Sequence, residues 1–181
     1  MNNKIIIVGS TGKLGVKLLK YTNEHSIPIN AISCFSNENK IIKQKTVYNV
    51  RNYFVLSRLK DQLKFLKFIQ KKVKIIYFLD YGSLSLKYLD HFLKFNRNSI
   101  IAIANKEMII AGGSLLQAKI KKTNNIFIPL DSEHFSLFNS NINKNNVKKI
   151  FITASGGPFY FNKKINLNKV NINKVLSHPK W

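Results

Sequence analysis

The sequence has little cysteine and no long apolar run. A single cysteine, Cys34, excludes a disulfide within the chain and is typical of a reducing compartment. No apolar stretch approaches the roughly 20 residues that a membrane-spanning helix needs. The apolar residues before Gly9 are too few for the core of a secretory signal peptide. We therefore expect a soluble, cytoplasmic protein with no membrane partner.

Acidic residues are also scarce, because eight Asp and Glu stand against thirty Lys and Arg, for a formal net charge of +22 at pH 7. Such a charge can indicate binding to nucleic acid or to an anionic membrane. It can equally result from base composition, since Lys, Asn and Ile share AT-rich codons and are abundant throughout. The lysines are spread evenly rather than gathered beside stacking aromatics, which favours the second explanation and predicts no specific nucleic-acid partner. An anionic substrate or cofactor would be attracted in either case.

Short apolar runs alternate with segments of helical periodicity along the chain. Strands joined by helices imply right-handed crossovers and a mostly parallel sheet, so the predicted fold class is α/β. Strands are predicted over 4–9, 28–35, 73–80, 99–105, 125–131 and 147–157. Helices are predicted over 12–25, 57–72, 85–95, 107–122 and from 132 onward.

Two of these helices have clear apolar stripes, which predict their buried faces. The stripe of the first helix is Leu14, Leu18 and Tyr21. The stripe of the helix over 57–72 is Leu59, Leu63, Leu66 and Ile69. In the helix over 107–122, the pair Gly112–Gly113 is a predicted weak point.

The segment VGSTGKLG, residues 8–15, follows the first predicted strand and opens the first helix. Gly9, Gly12 and Gly15 have the spacing of a variant dinucleotide-binding fingerprint. In that fingerprint the glycines allow a tight turn, and backbone N–H groups at the helix start face a pyrophosphate. The same glycines could form an ordinary turn, but the position between a strand and a helix favours nucleotide binding.

The end of the second strand bears on the choice of nucleotide. NAD-binding enzymes usually have an Asp or Glu there, which holds the ribose 2′-hydroxyl. This chain has Ser33, Ser36 and Asn37, with Lys40 a little further on. The missing acid favours NADPH, although Glu38 is close by.

The motif ANKE, residues 104–107, closes a predicted strand at the edge of the sheet where open α/β folds bind ligands. Lys106 could hold a phosphate there or polarise a carbonyl. The alternative is a solvated loop with an N-capping Asn.

The motif DSEH, residues 131–134, follows a later strand at the same edge. Asp131 and Glu133 are hard oxygen ligands that suit Mg²⁺ or Mn²⁺. The alternative is a helix N-terminus with Ser132 as its cap and Glu133 in its first turn.

Two further segments lie near the end of the sequence. In TASGGPF, residues 153–159, Ser155 could donate to a phosphate, or the glycines could only shape a loop. In SHPKW, residues 177–181, His178 precedes a proline and is ambiguous.

Taken in order, the segments GSTGKLG, ANKE, DSEH, SGGPF and HPKW resemble those of the 1-deoxy-D-xylulose 5-phosphate reductoisomerase family. The resemblance implies an NADPH- and metal-dependent enzyme of non-mevalonate isoprenoid biosynthesis. Such an enzyme converts 1-deoxy-D-xylulose 5-phosphate to 2-C-methyl-D-erythritol 4-phosphate. The resemblance also implies a Rossmann-like NADPH-binding domain over 1–128 and the start of a second, incomplete α+β catalytic domain over 129–181.

The resemblance implies roles for individual residues as well. Asp131 and Glu133 would bind the divalent cation, Mg²⁺ or Mn²⁺, and Lys106 and Glu133 would be catalytic. The small phosphorylated ketose substrate would contact Lys106, Ser132, Glu133, Ser155, His178 and Trp181. NADPH would contact Gly9, Thr11, Gly12, Lys13, Leu14, Asn37, Asn105 and Glu107.

The sequence departs from the family pattern in several places. Lys13 stands where a small Ser is common, Phe35 falls at a usual Gly, and Asp80–Tyr81 replaces part of a Gly/Ala-rich turn. Family members, typically homodimers, supply a third metal-binding glutamate from a segment beyond the H-P-x-W motif. We therefore expect this chain to be the N-terminal portion of such an enzyme. Two other hypotheses stay open: an inactive remnant that still binds NADPH, and a basic nucleic-acid-binding protein on a Rossmann-like scaffold.

Overall fold

Six parallel strands form one sheet in the computed structural model, which describes residues 4–140, 144–151, 157–159 and 165–177. The strands are β1 (Ile5–Val8), β2 (Ala31–Cys34), β3 (Asn52–Val55), β4 (Ile75–Phe78), β5 (Ile100–Ile103) and β6 (Ile126–Pro129). Their order across the sheet is β3-β2-β1-β4-β5-β6. This is the strand order of a Rossmann fold, so the predicted Rossmann-like, mostly parallel α/β architecture is confirmed.

Helices connect successive strands, as parallel pairing requires. The helices are α1 (Lys13–Glu24), α2 (Glu38–Val47), α3 (Leu59–Ile69), α4 (Leu86–Phe95), α5 (Lys106–Lys122), α6 (Ser132–Asn139) and α7 (Ile172–Leu176). The chain divides into two compact units, residues 1–141 with the sheet and residues 142–181 with α7. The division expected between residues 128 and 129 stays a prediction.

The core lies on both faces of the sheet, because the central strand β1 is apolar and buried along its whole length. On one face, Ile6 and Val8 belong to a cluster with residues of α3, α4 and α5. On the other face, Ile7 packs with Leu19 of α1 and Ile41 of α2. The sheet is therefore covered on both sides, and the carboxyl ends of its strands form the edge where a ligand can enter.

Helix α1 buries only part of the predicted stripe, because Leu18 is partly buried against the core whereas its other two residues are not. Leu14 and Tyr21 are exposed, whereas Gly15, Leu19 and Thr22 are buried. The cause is steric: a Cβ on Gly15 would lie 2.5 Å from backbone atoms of the preceding turn, so only a glycine can occupy the inward position.

Helix α3 confirms half of its predicted stripe, because Ile69 is buried and Leu66 packs against the core. Leu59 is 71% exposed and Leu63 is 59% exposed, while Phe65 and Ile69 are fully buried. The ring of Phe65 lies 5.2 Å from that of Tyr88 in an edge-to-face arrangement. Aromatic packing of this kind stabilises the core beyond the burial of apolar area.

Other differences concern whole elements. The sequence predicted neither α2 nor β3, and no strand is present in 147–151, the part of the strand predicted over 147–157 that is described before residue 152. The weak point predicted in α5 is confirmed, because Gly113 has a left-handed φ of 46° inside the helix. Within the described ranges, no helix has the length and apolar character needed to cross a membrane.

Candidate active site

The candidate site lies where β1 and β4 run side by side at the centre of the sheet. Ile5 to Val8 pair in register with Ile75 to Phe78. The chain leaves β1 toward β2 on one side, while β4 leads to β5 on the other. Such a switch point opens a crevice at the carboxyl ends of the strands.

A tight glycine turn closes β1 at this crevice. Gly9 has a φ of +83°, and the N–H groups of Gly9 and Ser10 both donate to the Ser33 carbonyl, at 3.0 and 2.9 Å. A Cβ on Gly9 would lie 2.5 Å from the backbone nitrogen of Asp80, just after β4. The turn therefore packs closely against both neighbouring strands. The fold requires a glycine at position 9 whether or not a ligand binds.

Gly12 has a different environment. Its φ of −73° suits any residue, and the nearest atom to a Cβ built on it is 3.4 Å away. It is the N-cap of α1, and Gly12, Lys13 and Leu14 are all exposed while Thr11 is half-buried. The first N–H groups of a helix have no partner within the helix, so this end of α1 is open to an anionic ligand.

Gln44 of α2 holds the glycine turn from the side. The Ser10 hydroxyl donates to Gln44 Oε1, and Gln44 Nε2 donates to the Ser10 carbonyl, both at 2.8 Å. Both residues are buried. The sequence pattern does not predict this pair, because its members stand 34 positions apart.

We expect Gln44→Ala to lower the free energy of unfolding by about 2 kcal/mol, since it removes two hydrogen bonds and leaves buried polar atoms unpaired. Urea unfolding would measure the change. The matched control is Gln117→Ala on the exposed surface of α5, where we expect a change within about 0.5 kcal/mol. Equal stability of the two variants would contradict this role for Gln44.

The polar residues predicted after β2 divide into two groups. Ser33 lies inside β2 and is fully buried, so it is not available to a ligand in the crevice. Ser36 and Asn37 are exposed, and the Asn37 side chain caps α2 by accepting from the backbone N–H of Lys40 at 3.2 Å. The Glu38 carboxylate is paired with Arg58, at the N-cap of α3.

An apolar cavity of about 210 Å³ opens beside the glycine turn. Its walls include Val8, Cys34 and Leu56, and the exposed rings of Phe35 and Tyr81 also line it. Burial raises the pKa of the Cys34 thiol to about 11, so this group is an uncharged wall at neutral pH. The departures at Phe35 and Tyr81 thus bring two aromatic rings to one cavity.

Tyr88 of α4 also lines this cavity and is 1% exposed. Its hydroxyl is buried and has no hydrogen-bond partner among the described residues. Burial raises its pKa to about 12, so the group remains a neutral donor and acceptor. An unpaired buried hydroxyl is unfavourable, and a ligand with a polar edge would provide the missing partner.

Asp80 and Asn105 connect β4 to the start of α5. Asn105 is buried and caps α5 by accepting from the Met108 N–H at 3.0 Å, while its Nδ2 donates to the Gly82 carbonyl at 2.9 Å and to Asp80. Burial raises the pKa of Asp80, against hydrogen bonds from Ser85 and Asn105 that lower it. The capping alternative for the ANKE motif is thus observed, and Asn105 also fixes the turn after β4.

Lys106 and Glu133 meet at the carboxyl end of the sheet, from the first residue of α5 and from α6. The Lys106 ammonium donates to Glu133 Oε2 at 2.9 Å, and the Ser132 hydroxyl donates to the same oxygen at 2.8 Å. These hydrogen bonds, first that of Lys106, lower the pKa of Glu133 from 4.5 to about 2. Because the pKa is lowered on folding, any stabilisation by the pair is complete above about pH 4.5 and is lost as the pH falls toward 2.

Asp131 begins the same segment and differs from Glu133 in burial. Its side chain is only 3% exposed, and it accepts from the backbone N–H of His134 at 3.1 Å. The His134 ring nitrogen Nδ1 lies 2.7 Å from the same carboxylate. The N-cap of α6 is therefore Asp131, because its carboxylate accepts the hydrogen bond from the backbone N–H of His134. The alternative with Ser132 as the cap is wrong.

The remaining predicted residues have separate positions. Glu107 is exposed in the first turn of α5. Ser155, His178 and Trp181 lie outside the described residues. The sequence also did not predict Tyr88 or Arg58. Tyr88 looks like an ordinary buried residue of α4, and Arg58 is one of many basic residues, so neither indicates a site by its type alone.

A family model for the 1-deoxy-D-xylulose 5-phosphate reductoisomerase C-terminal domain matches residues 127–181. A reductoisomerase of that name from Pelagibacter ubique is 36% identical over 98% of this chain and 51% of its own length. One from Campylobacter jejuni is 32% identical, with the same coverage. The chain spans about half the length of the curated relatives that it matches.

Solved structures agree in fold. The Zymomonas mobilis reductoisomerase in complex with NADPH superposes with a TM-score of 0.74, at 20% identity, over 90% of this chain and 48% of that one. A reductoisomerase in complex with NADPH, fosmidomycin and magnesium gives 0.75 at 21% identity, over 99% and 52%. Over 98% of its length, the chain is therefore homologous to the 1-deoxy-D-xylulose 5-phosphate reductoisomerase family, whose members it matches along about half of their own length.

Proposed function

We propose that this chain forms the cofactor-binding and metal-binding part of an enzyme that reductively isomerises 1-deoxy-D-xylulose 5-phosphate to 2-C-methyl-D-erythritol 4-phosphate. The observation that carries the proposal is that the glycine turn, the cavity and the Lys106–Glu133 pair all stand at the carboxyl edge of one parallel sheet. Hydride transfer requires the nicotinamide and the sugar to be in direct contact, so the residues that would bind them must lie at one place. The homology to the reductoisomerases supports the same reaction.

NADPH fits the first part of this edge. The pyrophosphate would lie against Gly12 and the start of α1, where the backbone is open, with Lys13 as an added positive charge. The adenine ring would enter the cavity, where Phe35 and Tyr81 offer aromatic faces and the Tyr88 hydroxyl offers a polar partner. The remaining cofactor contacts are proposed for Gly9, Thr11, Leu14, Asn37, Asn105 and Glu107.

A divalent cation, Mg²⁺ or Mn²⁺, fits the second part through Asp131 and Glu133. Both are hard oxygen donors, and the low pKa of Glu133 keeps it ionised at neutral pH. When bound, such a cation polarises carbonyl and hydroxyl oxygens as a Lewis acid. Among the described residues no group of three or more potential ligands occurs, so these carboxylates would supply part of the coordination shell.

Lys106 and Ser132 would bind the substrate beside these carboxylates. The hydrogen bond to Glu133 raises the pKa of Lys106, so its ammonium stays charged and can hold an anionic oxygen of the ketose phosphate. We further propose substrate contacts for Ser155, His178 and Trp181. A homodimer and a cytoplasmic location, the latter supported by the single buried thiol, complete the proposal.

The test uses the purified native gene product and follows the loss of NADPH absorbance. We expect oxidation that requires 1-deoxy-D-xylulose 5-phosphate and Mg²⁺ or Mn²⁺ together, and that stops when a chelator removes the metal. Separate titration of NADPH by its fluorescence distinguishes the alternatives. Binding without ketose-dependent oxidation would identify an inactive remnant, and absence of both would overturn the proposal.

A further inference from the structure

The end of β2 carries a carboxylate that could select NADH, but the carboxylate is already occupied. Glu38 is the first residue of α2, near the position where NAD-binding enzymes hold the ribose 2′-hydroxyl with an acid. Arg58 Nη1 donates to Glu38 Oε1 at 2.7 Å, and Nη2 donates to Oε2. This is the two-pronged geometry in which arginine binds carboxylates most specifically. Both oxygens of Glu38 are therefore engaged by the protein.

Arg58 is itself held in place by backbone contacts. It is the N-cap residue of α3, and its N–H donates to the Val55 carbonyl at 3.0 Å. The backbone N–H of Ser57, next to Arg58, donates to the carbonyl of Phe35 at 2.8 Å, and Phe35 lines the cavity, so the ion pair stands near that cavity. Asp61 is a second acid in this region, but its carboxylate accepts from the Val55 N–H at 3.1 Å.

Lys40 brings a second cation to the same end of the sheet. It lies in the first turn of α2, and its ammonium donates to the carbonyl of Thr11 at 2.7 Å. Thr11 belongs to the glycine turn, so this ammonium spans the space between the turn and α2. A lysine ammonium has three donors, and an arginine guanidinium has five. Both groups therefore keep N–H donors that can bind a phosphate.

We infer that Lys40 and Arg58 bind the 2′-phosphate of NADPH, and that Arg58 prevents Glu38 from accepting the 2′-hydroxyl of NADH. The inference rests on the proposed function, because it assumes that a dinucleotide occupies the glycine turn. The Glu38–Arg58 ion pair would then select the cofactor, because Arg58 both attracts the 2′-phosphate and neutralises the carboxylate of Glu38. Arg58 is thus a specificity-determining residue that the sequence motif does not contain.

The test compares binding of NADPH, NADH, 2′,5′-ADP and 5′-AMP by calorimetry to the unaltered chain and to single variants. For Lys40→Gln we expect NADPH and 2′,5′-ADP to bind about 10-fold more weakly, as the loss of one charge-assisted hydrogen bond predicts, with NADH unchanged. For Arg58→Gln we expect a similar loss for NADPH together with tighter binding of NADH. The matched control is Lys43→Gln, an exposed lysine one turn further along α2, which should leave all ratios unchanged.

A double variant separates release of Glu38 from simple loss of charge. In Arg58→Gln combined with Glu38→Gln, the gain in NADH affinity should disappear while the loss for NADPH remains. Equal changes for NADPH and NADH in the single variants, or a preference that does not change, would overturn the inference while leaving dinucleotide binding intact. If the unaltered chain binds neither dinucleotide, both the proposed function and this inference fail.

Discussion

Replacing Glu133 by Gln is expected to lower the proposed metal-dependent oxidation of NADPH by roughly 100-fold or more, because it would remove an ionised ligand from a cation whose Lewis acidity contributes several kcal/mol to the stabilisation of the transition state. The substitution keeps the shape of the side chain, and its Oε1 can still accept from Lys106. The loss should therefore come mainly from metal binding, with only a small fall in stability because the Lys106–Glu133 pair is exposed. Asp131→Asn should act in the same direction, with an added loss of stability because Asp131 is buried and caps α6.

The measurement pairs turnover in the native protein with Mn²⁺ binding followed by electron paramagnetic resonance. Glu133→Gln should weaken Mn²⁺ binding in proportion to the loss of rate, and excess metal should restore part of the activity. The control is Glu24→Gln. Glu24 is an exposed acid at the end of α1, and its Oε1 lies 3.8 Å from Lys20 Nζ. Full turnover with undiminished Mn²⁺ affinity in Glu133→Gln would exclude Glu133 as a metal ligand.

Substitution by Ala is expected to have different effects at Gly9, Gly12 and Gly15. Gly9→Ala and Gly15→Ala would each force a Cβ to within 2.5 Å of backbone atoms, and Gly9 also requires a left-handed φ. We expect each to lower the free energy of unfolding by about 3 kcal/mol or more, from overpacking and backbone strain. The corresponding fall in Tm is roughly 6 to 12 °C for a chain of this size.

Gly12→Ala should instead leave Tm almost unchanged, because the protein leaves space for a Cβ there. If a pyrophosphate lies against this residue, the added methyl group would still weaken NADPH binding, by about 10-fold or more. Thermal unfolding and NADPH titration of the three variants would check the pattern. Unchanged NADPH affinity in Gly12→Ala would show that the open space above Gly12 is not the pyrophosphate site.

Much of the sheet could be predicted because four of its strands are continuous apolar runs, and β2 is interrupted only by Ser33. Strand β3 escaped prediction because it lies at the edge of the sheet, begins with the polar Asn52 and has only its last two residues buried. Helix α2 escaped because only Ile41 and Gln44 are buried, so it has no apolar stripe to detect. A pattern of hydrophobic residues cannot reveal a helix whose inward face is polar.

The buried faces of the helices and the side-chain pairs of the site depend on tertiary contacts. The spacing of apolar residues along the sequence does not reveal these contacts. The inward face of α1 is set by Gly15, which has no side chain and therefore adds nothing to a hydrophobic stripe. The motif residues Lys106, Ser132 and Glu133 do lie together, as their positions after strands suggested. Arg58 and Glu38 stand 20 positions apart on loop and helix, and only the folded chain brings their charges into contact.

The pairing of β1 with β4 determines when the glycine turn forms during folding. Ile5 pairs with Ile75, so the centre of the sheet closes only when residues far apart in the sequence meet, which slows folding. The turn at Gly9 donates two hydrogen bonds to Ser33 and lies closely against the backbone of Asp80, so its native surroundings are complete only after that closure. A ligand that recognises the turn cannot bind the unfolded chain. At 100 times its Kd, such a ligand would add about 2.7 kcal/mol to the stability of the native state, so cellular dinucleotide would protect this chain from unfolding.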